Sequence, residues 1–214
     1  MRPALKRAAG SVAGRLDDLS QPSRERIAVT GFFLGNESRV DRALARAYFG
    51  LSSWLWASYE DNDTHLASFR AGLDALDDVP RRVLDLGTGA GGTAALMAQR
   101  WPAATVVGVD TSHRMTRKAR ERCGRHPNLS FVVGDGLHLE VATGSVDLVT
   151  SLNYMPYPVE VARVLRPGGT VLVASSFQRV TSEAVFAHWQ RHGFHVHGGS
   201  TASAGSFQIH RLDG

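Results

Sequence analysis

The chain has 214 residues, 43% of them hydrophobic and 21% charged, enough to bury the core of one domain with an appendage. A single cysteine, Cys123, excludes an internal disulfide framework and a cysteine-rich zinc site, and the longest apolar runs are too short to span a bilayer. The formal charge of +4 is modest, and Arg2, Lys6 and Arg7 are followed by no apolar stretch, so the expectation is a cytoplasmic protein without a secretory leader.

The first eighty residues read as helical. Ser20-Gln21-Pro22-Ser23 interrupts an amphipathic N-terminal stretch, Asn36-Glu37-Ser38 opens a longer one running to about Tyr59, and Asp61-Asn62-Asp63 caps another ending near Leu76. Residues 1–65 are expected to form a helical lid and residues 66–214 the main domain. The lid carries Tyr48, Phe49, Trp54, Trp56 and Tyr59, an aromatic set suited to covering an apolar ligand.

From Arg81 onward strand and helix alternate. Apolar, β-branched runs occur at Val83–Leu86, Thr105–Val109, Leu129–Val133, Val146–Thr150 and Thr170–Ala174. Helical patterns separate them at Thr93–Arg100, Met115–Gly124 and Val159–Leu165, with a less regular link at Leu137–Thr143. This rhythm predicts βαβ units and a parallel sheet buried on both faces. The last forty residues change character: a helix over Ser182–His192 stops at Gly193, and strands at Phe194–His197 and Phe207–Leu212 follow. They are close enough to form an antiparallel hairpin at the sheet edge. The expected fold is therefore α/β and Rossmann-like: a doubly wound, mostly parallel, seven-stranded sheet with an antiparallel C-terminal hairpin and an N-terminal helical lid.

The most informative segment is Asp85-Leu86-Gly87-Thr88-Gly89-Ala90-Gly91-Gly92-Thr93, which links an apolar strand to a helix. Such a turn lets backbone approach a ligand closely, and the helix start offers unpaired N–H groups and a partial positive charge. Gly87, Gly89 and Gly92 satisfy G-x-G-x-x-G, and Asp110 ends the next strand, both compatible with a dinucleotide. Asp85 argues for a different occupant. A carboxylate two positions before the first glycine is a poor neighbour for a pyrophosphate and a good one for a sulfonium with a free amine. The closing hairpin, where a dinucleotide fold usually continues with parallel units, points the same way. S-adenosylmethionine is the cofactor these features favour.

With those residues in hand, the chain over roughly 66–211 resembles the class I S-adenosylmethionine-dependent methyltransferases, most of all the small-molecule enzymes acting on quinone precursors and secondary metabolites. Val83 to Gly91 matches the family's first motif, Val109-Asp110-Thr111-Ser112 with Met115 the second, and Val133-Gly134-Asp135-Gly136 the third. Val146-Asp147-Leu148-Val149 matches the fourth strand, and Arg163 to Gly169 the turn before the fifth. The resemblance implies a cofactor site made by Asp85, Gly87, Thr88, Gly89, Asp110, Thr111, Met115, Asp135, Gly136 and Asn153. In it Asp110 takes the ribose hydroxyls, and Asp135 with the next backbone N–H meets the adenine edge. Asp110 suits its role independently, because a carboxylate accepts two hydrogen bonds from a vicinal diol.

Tyr154 and Tyr157, at the carboxyl end of the fourth strand, and Trp54 and Tyr59, from the lid, are the expected substrate contacts. The acceptor is expected to be a small, hydrophobic or aromatic metabolite. Transfer from a sulfonium needs alignment first and a base only when the acceptor carries a proton. His113 and His138 are candidate bases at the pocket rim, but no catalytic base is assigned. His188 and His192 have i, i+4 spacing with His195 and His197 behind, yet no carboxylate follows at ligand spacing, so no metal is expected.

Arg114, Arg117, Lys118, Arg120, Arg122 and Arg125 crowd one helix. They read as the solvated face of a crossover helix, so nucleic acid is not the expected partner. The alternatives are an RNA or protein methyltransferase using that basic helix, a catalytically silent S-adenosylmethionine-binding partner subunit, and an NAD-dependent reductase. Oligomeric state is left open.

Overall fold

The computed structural model describes residues 63–176, 183–202 and 205–214. The expected lid, with Trp54 and Tyr59, lies outside the described residues apart from the start of its last helix. In chain order the elements are α1 (Asp63–Asp74), β1 (Arg82–Leu86), α2 (Gly92–Arg100), β2 (Thr105–Asp110), α3 (His113–Cys123), β3 (Leu129–Val133), β4 (Val146–Leu152), α4 (Pro158–Val164), β5 (Leu165–Ser175), α5 (Glu183–Gln190), β6 (Phe194–Ala202) and β7 (Gly205–Leu212).

The strands form one sheet in the order β3-β2-β1-β4-β5-β7-β6. The first five run parallel, and β7 is antiparallel to both of its neighbours. The chain leaves β1 toward β2 on one side and returns to β4 on the other. That reversal opens a crevice above the carboxyl ends of β1 and β4.

Each face of the sheet carries its own core. Phe69, Met97, Trp101, Phe131, Leu148 and Ile209 pack on one side; Leu84, Leu86, Val149, Met155, Val173 and Trp189 pack on the other. Side chains of a strand alternate between faces, so Asp85 shares the side of Val83, beneath α2. The helix α1 buries Leu66, Phe69 and Leu73 at i, i+3 and i+7, the stripe of an amphipathic helix. It closes tightly on β5 because Gly72 presents no side chain: a Cβ there would lie 2.5 Å from Leu172 Cδ1.

Some boundaries differ from the sequence expectation for identifiable reasons. The strand β5 begins at Leu165 rather than Thr170, because Leu165 pairs with Val146 before the Arg-Pro-Gly-Gly turn and Thr170 with Leu148 after it. The helix α4 accordingly stops one residue short of Leu165. The hairpin strands are longer than expected: Gly198 and Gly199 continue β6 because Ile209 and Gln208 of β7 hold their backbone, with a register shift between Val196 and Gly198. Among the described residues, no helix is long and apolar enough to cross a membrane.

Candidate active site

The loop between β1 and α2 turns on three glycines in the left-handed region, Gly87 (φ +71°), Gly89 (φ +58°) and Gly91 (φ +90°). The N–H groups of Gly87 and Thr88 donate to the carbonyl of Val109 at 2.9 and 3.1 Å, tying the bend to the end of β2. No side chain caps α2, whose first N–H groups stay available to a ligand. Thr88 is buried, and its hydroxyl faces Gly108 of β2, where a Cβ would lie 2.7 Å from Oγ1.

Beneath this loop Asp85 is fully buried. Its two oxygens accept from Thr93 Oγ1 at 2.6 Å and Thr150 Oγ1 at 2.8 Å, so the carboxylate braces the start of α2 against β4. Burial pushes its pKa above the usual carboxylate range. The hydroxyls of Thr93, Thr88 and Thr150 oppose that rise, and the charge of Asp110 adds to it. Asp85 thus reaches the crevice through its field and through Thr93, while its hydrogen bonds remain inside the protein.

Asp110, at the carboxyl end of β2, accepts from the Gly89 N–H at 3.0 Å and the Ser112 N–H at 2.8 Å. Burial raises its pKa too, and these two backbone donors pull it back. One carboxylate therefore joins the glycine loop to the start of α3, where Ser112 caps the helix by accepting from the Met115 N–H at 3.3 Å. Met115 is buried against Ala90, and its neighbour Thr111 is exposed at the rim.

The third loop brings Asp135 and Gly136 to the same end of the sheet. Asp135 Oδ1 accepts from the Leu137 N–H at 3.1 Å, and a short bridge to His138 closes the turn. Tyr154 links this loop to the first. A Cβ on Gly87 would lie 3.2 Å from Tyr154 Cβ, and one on Gly136 would lie 2.9 Å from Tyr154 Oη. The ring thus spans the crevice between the two glycines. It is aimed there by Asn153, the single non-glycine residue at positive φ (59°) among the described residues. Asn153 is held in that conformation by its side chain, whose Nδ2 donates to Ser176 Oγ and whose Oδ1 accepts from the Ser176 N–H, each at 2.9 Å. Tyr157 stands at the start of α4, half-buried, without a side-chain cap bond.

A small cavity beside the glycine loop is lined by His65, Leu66, Gly87, Thr88, Gly92, Thr93 and Leu152. Sequence reasoning missed His65. The cap at Asp61-Asn62-Asp63 places it in a first helical turn, but only the sheet topology carries that turn over the crevice. Of the expected bases, His113 and His138 are exposed. His188 and His192 lie on or just after α5, with ring centroids 5.8 Å apart, and His195 pairs with Asp213 and His197 with Asp77. Among the described residues, no group of three potential ligands is arranged to hold a metal ion.

The profile of the methyltransferase-domain family matches residues 83–169, the stretch from β1 to the turn inside β5. Residues 83–169 are therefore similar to a methyltransferase domain. Over 124 residues it is 34% identical to the trans-aconitate 2-methyltransferase of Rhodopseudomonas palustris, covering 55% of this chain and 47% of that protein. Over 141 residues it is 36% identical to the malonyl-[acyl-carrier protein] O-methyltransferase of Xylella fastidiosa, covering 62% and 46%. The chain thus spans about half the length of the curated relatives it matches. The fold also matches a putative methyltransferase solved in complex with the Haloferax volcanii Trm112 activator, at TM-score 0.67 and 19% identity, over 79% of this chain and 97% of that one. The residues at this crevice fit an adenosyl sulfonium in kind: a left-handed glycine cradle and two carboxylates, one beneath the bend and one beside it.

Proposed function

We propose that the protein transfers a methyl group from S-adenosylmethionine to a small, hydrophobic or aromatic metabolite. The observation that carries this reading is the pairing of two carboxylates with the glycine loop: Asp85 buried below it, Asp110 half-buried and bonded to the Gly89 N–H beside it. Anions kept in that position favour a cationic, diol-bearing ligand and repel a diphosphate.

In this reading Gly87, Thr88 and Gly89 hold the amino-acid portion of the cofactor by backbone and hydroxyl donors, with Asp85 supplying negative potential from beneath. Asp110 takes the ribose hydroxyls, Met115 walls the adenine, and Asp135 with the Gly136 N–H reads its edge. Thr111 and Asn153 complete the rim. When bound, S-adenosylmethionine supplies an electrophilic methyl group on sulfur. The residues of the chain then have to align acceptor and methyl and keep water out, an orientation effect able to remove several kcal/mol of barrier. Tyr154 and Tyr157, with Trp54 and Tyr59 from a lid over residues 1–65, face the acceptor, and residues 66–214 form the catalytic domain. A cytoplasmic location completes the reading.

Two features of α3 weigh against a nucleic-acid surface. Arg120 donates through Nε and Nη2 to the Phe131 carbonyl at 3.1 and 2.6 Å, and Arg122 donates to the Ala90 carbonyl at 3.5 Å. Part of the basic run is thus spent holding the fold.

The test is incubation of the purified protein with methyl-tritiated S-adenosylmethionine and fractionated host extract. The reading predicts label in a low-molecular-weight product. Label confined to RNA or protein, or no transfer in any fraction, contradicts it.

A further inference from the structure

We infer that Glu160 and Arg163 are positioning residues for the base end of the cofactor: together they hold the turn 135–138 in the arrangement that distinguishes adenine from an oxo purine. The inference rests on the methyltransferase reading above and adds to it the residues that set selectivity for the cofactor's base.

Residues 134–145 carry the chain from β3 to β4 without a helix. A segment of that kind makes few hydrogen bonds of its own, so its position depends on what its neighbours offer. At its start the Gly134 N–H donates to the Asp110 carbonyl at 3.0 Å, which ties it to the strand assigned to the ribose. Within the turn, the Leu137 N–H donates to Asp135 Oδ1 at 3.1 Å and the His138 N–H to the Asp135 carbonyl at 3.0 Å. The next N–H, that of Leu139, donates to Glu160 Oε1 at 2.7 Å. The turn is thus suspended between Asp110 at one end and Glu160 at the other.

Glu160 is the third residue of α4, where a glutamate ordinarily reaches back to the N–H at the head of its own helix. Here the side chain is buried and reaches out of the helix to Leu139 instead. Arg163 meets it at two points: Nη2 donates to Oε1 at 2.7 Å and Nε to Oε2 at 2.9 Å. The same guanidinium donates to the carbonyls of Leu139 and Val141 at 2.9 and 2.8 Å, and to Thr143 Oγ1 at 3.3 Å. Arg163 therefore holds both the carboxylate and the segment that the carboxylate binds. Its hydrogen bonds keep the Glu160 carboxyl below the usual range, so Leu139 donates to a carboxylate.

Selectivity at this end needs placement more than a further contact. Adenine offers an amine that donates and, beside it, a ring nitrogen that accepts. In the reading above the Asp135 carboxylate and the Gly136 N–H answer those two groups in that order. An oxo purine reverses both, setting a carbonyl oxygen against the carboxylate and a ring N–H against the backbone N–H. The mismatch is costly only while the turn cannot swing away from it, and the clamp made by Glu160 and Arg163 removes that freedom. Neither residue has to touch the ligand.

The experiment is calorimetry of wild type, Glu160→Ala and Arg163→Lys with S-adenosylhomocysteine and with S-inosylhomocysteine, whose base carries a carbonyl oxygen in place of the amine. Each protein is measured well below its unfolding midpoint. A lysine keeps a cation beside Glu160 but cannot serve the carboxylate and both carbonyls together. Arg163 is only half-buried, so Arg163→Lys carries the test if Glu160→Ala does not fold. Wild type is expected to prefer the adenosyl ligand by about 10-fold or more, and each folded variant to bring that preference to within about 3-fold. The loss should fall on the adenosyl ligand. A mere support of the fold would weaken both ligands alike, so an unchanged preference in the folded variants overturns the inference and leaves the adenine assignment standing. Equal affinity of wild type for the two ligands overturns the adenine assignment and the inference with it. Absence of binding of either ligand by wild type overturns the methyltransferase reading as well.

Discussion

The two halves of the sheet bury ionisable side chains in opposite ways. Over β1 and β2, burial raises the pKa of Asp85 and Asp110, and hydroxyl and backbone donors oppose that rise. In the hairpin, His210 is fully buried, its Nε2 within 2.8 Å of Gln208 Oε1 and its ring stacked on Trp189 with centroids 5.4 Å apart. Its pKa is lowered to about 4, so it is neutral at physiological pH. The crevice half surrounds its carboxylates with donors that favour the charged form, and the hairpin half leaves its imidazole neutral. Perturbed carboxylates beside a glycine loop are candidates for a ligand site, whereas a neutral buried imidazole stacked on Trp189 belongs to packing.

The largest expected effect concerns the hairpin. With a folded pKa below the unfolded value of 6.5, His210 favours the native state fully above pH 6.5, and that contribution is lost as pH falls toward about 4. Native stability is predicted to drop by about 3 kcal/mol over that window. The half-buried His188, also lowered to about 4, adds a smaller part. Urea unfolding across the pH range checks this: His210→Gln should flatten the slope, and an unchanged slope breaks the hairpin side of the comparison.

Next is Asp110→Ala. It removes the acceptor for the Gly89 and Ser112 N–H groups together with the ribose contact, and should weaken S-adenosylhomocysteine binding by about 1–3 kcal/mol in calorimetry. Unchanged affinity contradicts the ribose assignment. Asp85→Asn has a smaller and opposite signature. A raised pKa means that Asp85 favours folding below its unfolded value of 3.8 and loses that contribution as pH rises through the folded value. The amide should therefore make the ligand-free protein more stable at pH 7–8, by about 1 kcal/mol, while lowering cofactor affinity. A variant less stable at that pH would place Asp85 among the fold's ordinary supports. The smallest effect is Gly136→Ala, whose Cβ meets Tyr154 Oη at 2.9 Å. It should cost about 0.5–1 kcal/mol in ligand affinity, and the second change Tyr154→Phe should recover it.

The sheet was legible because its signals are local: short β-branched runs, a glycine bend before a helix, and a stop at Gly193 before two closing strands. The carboxylates were legible as chemistry, and Asp110 stands where its strand-end position placed it. The partners of Asp85 were less so. Thr93 is near in sequence, but Thr150 arrives from β4 through sheet order, which residue spacing does not encode. Nor was the early start of β5 readable, because Leu165 joins the sheet only by pairing with Val146 across a turn. Tyr154 as a span between Gly87 and Gly136, and His65 over the crevice, come from elements distant in the chain. Local propensity fixes elements, whereas tertiary packing decides which side chains meet.

The central claim, that the carboxylates of Asp85 and Asp110 hold this crevice for an adenosyl sulfonium, is tested most directly by calorimetry of the purified protein with S-adenosylmethionine, S-adenosylhomocysteine and NADH in parallel. The account predicts saturable one-to-one binding of the two adenosyl ligands, no heat from NADH, and loss of affinity for the sulfonium in Asp85→Asn. Saturable binding of NADH, or equal affinity of Asp85→Asn and wild type for S-adenosylmethionine, would contradict it.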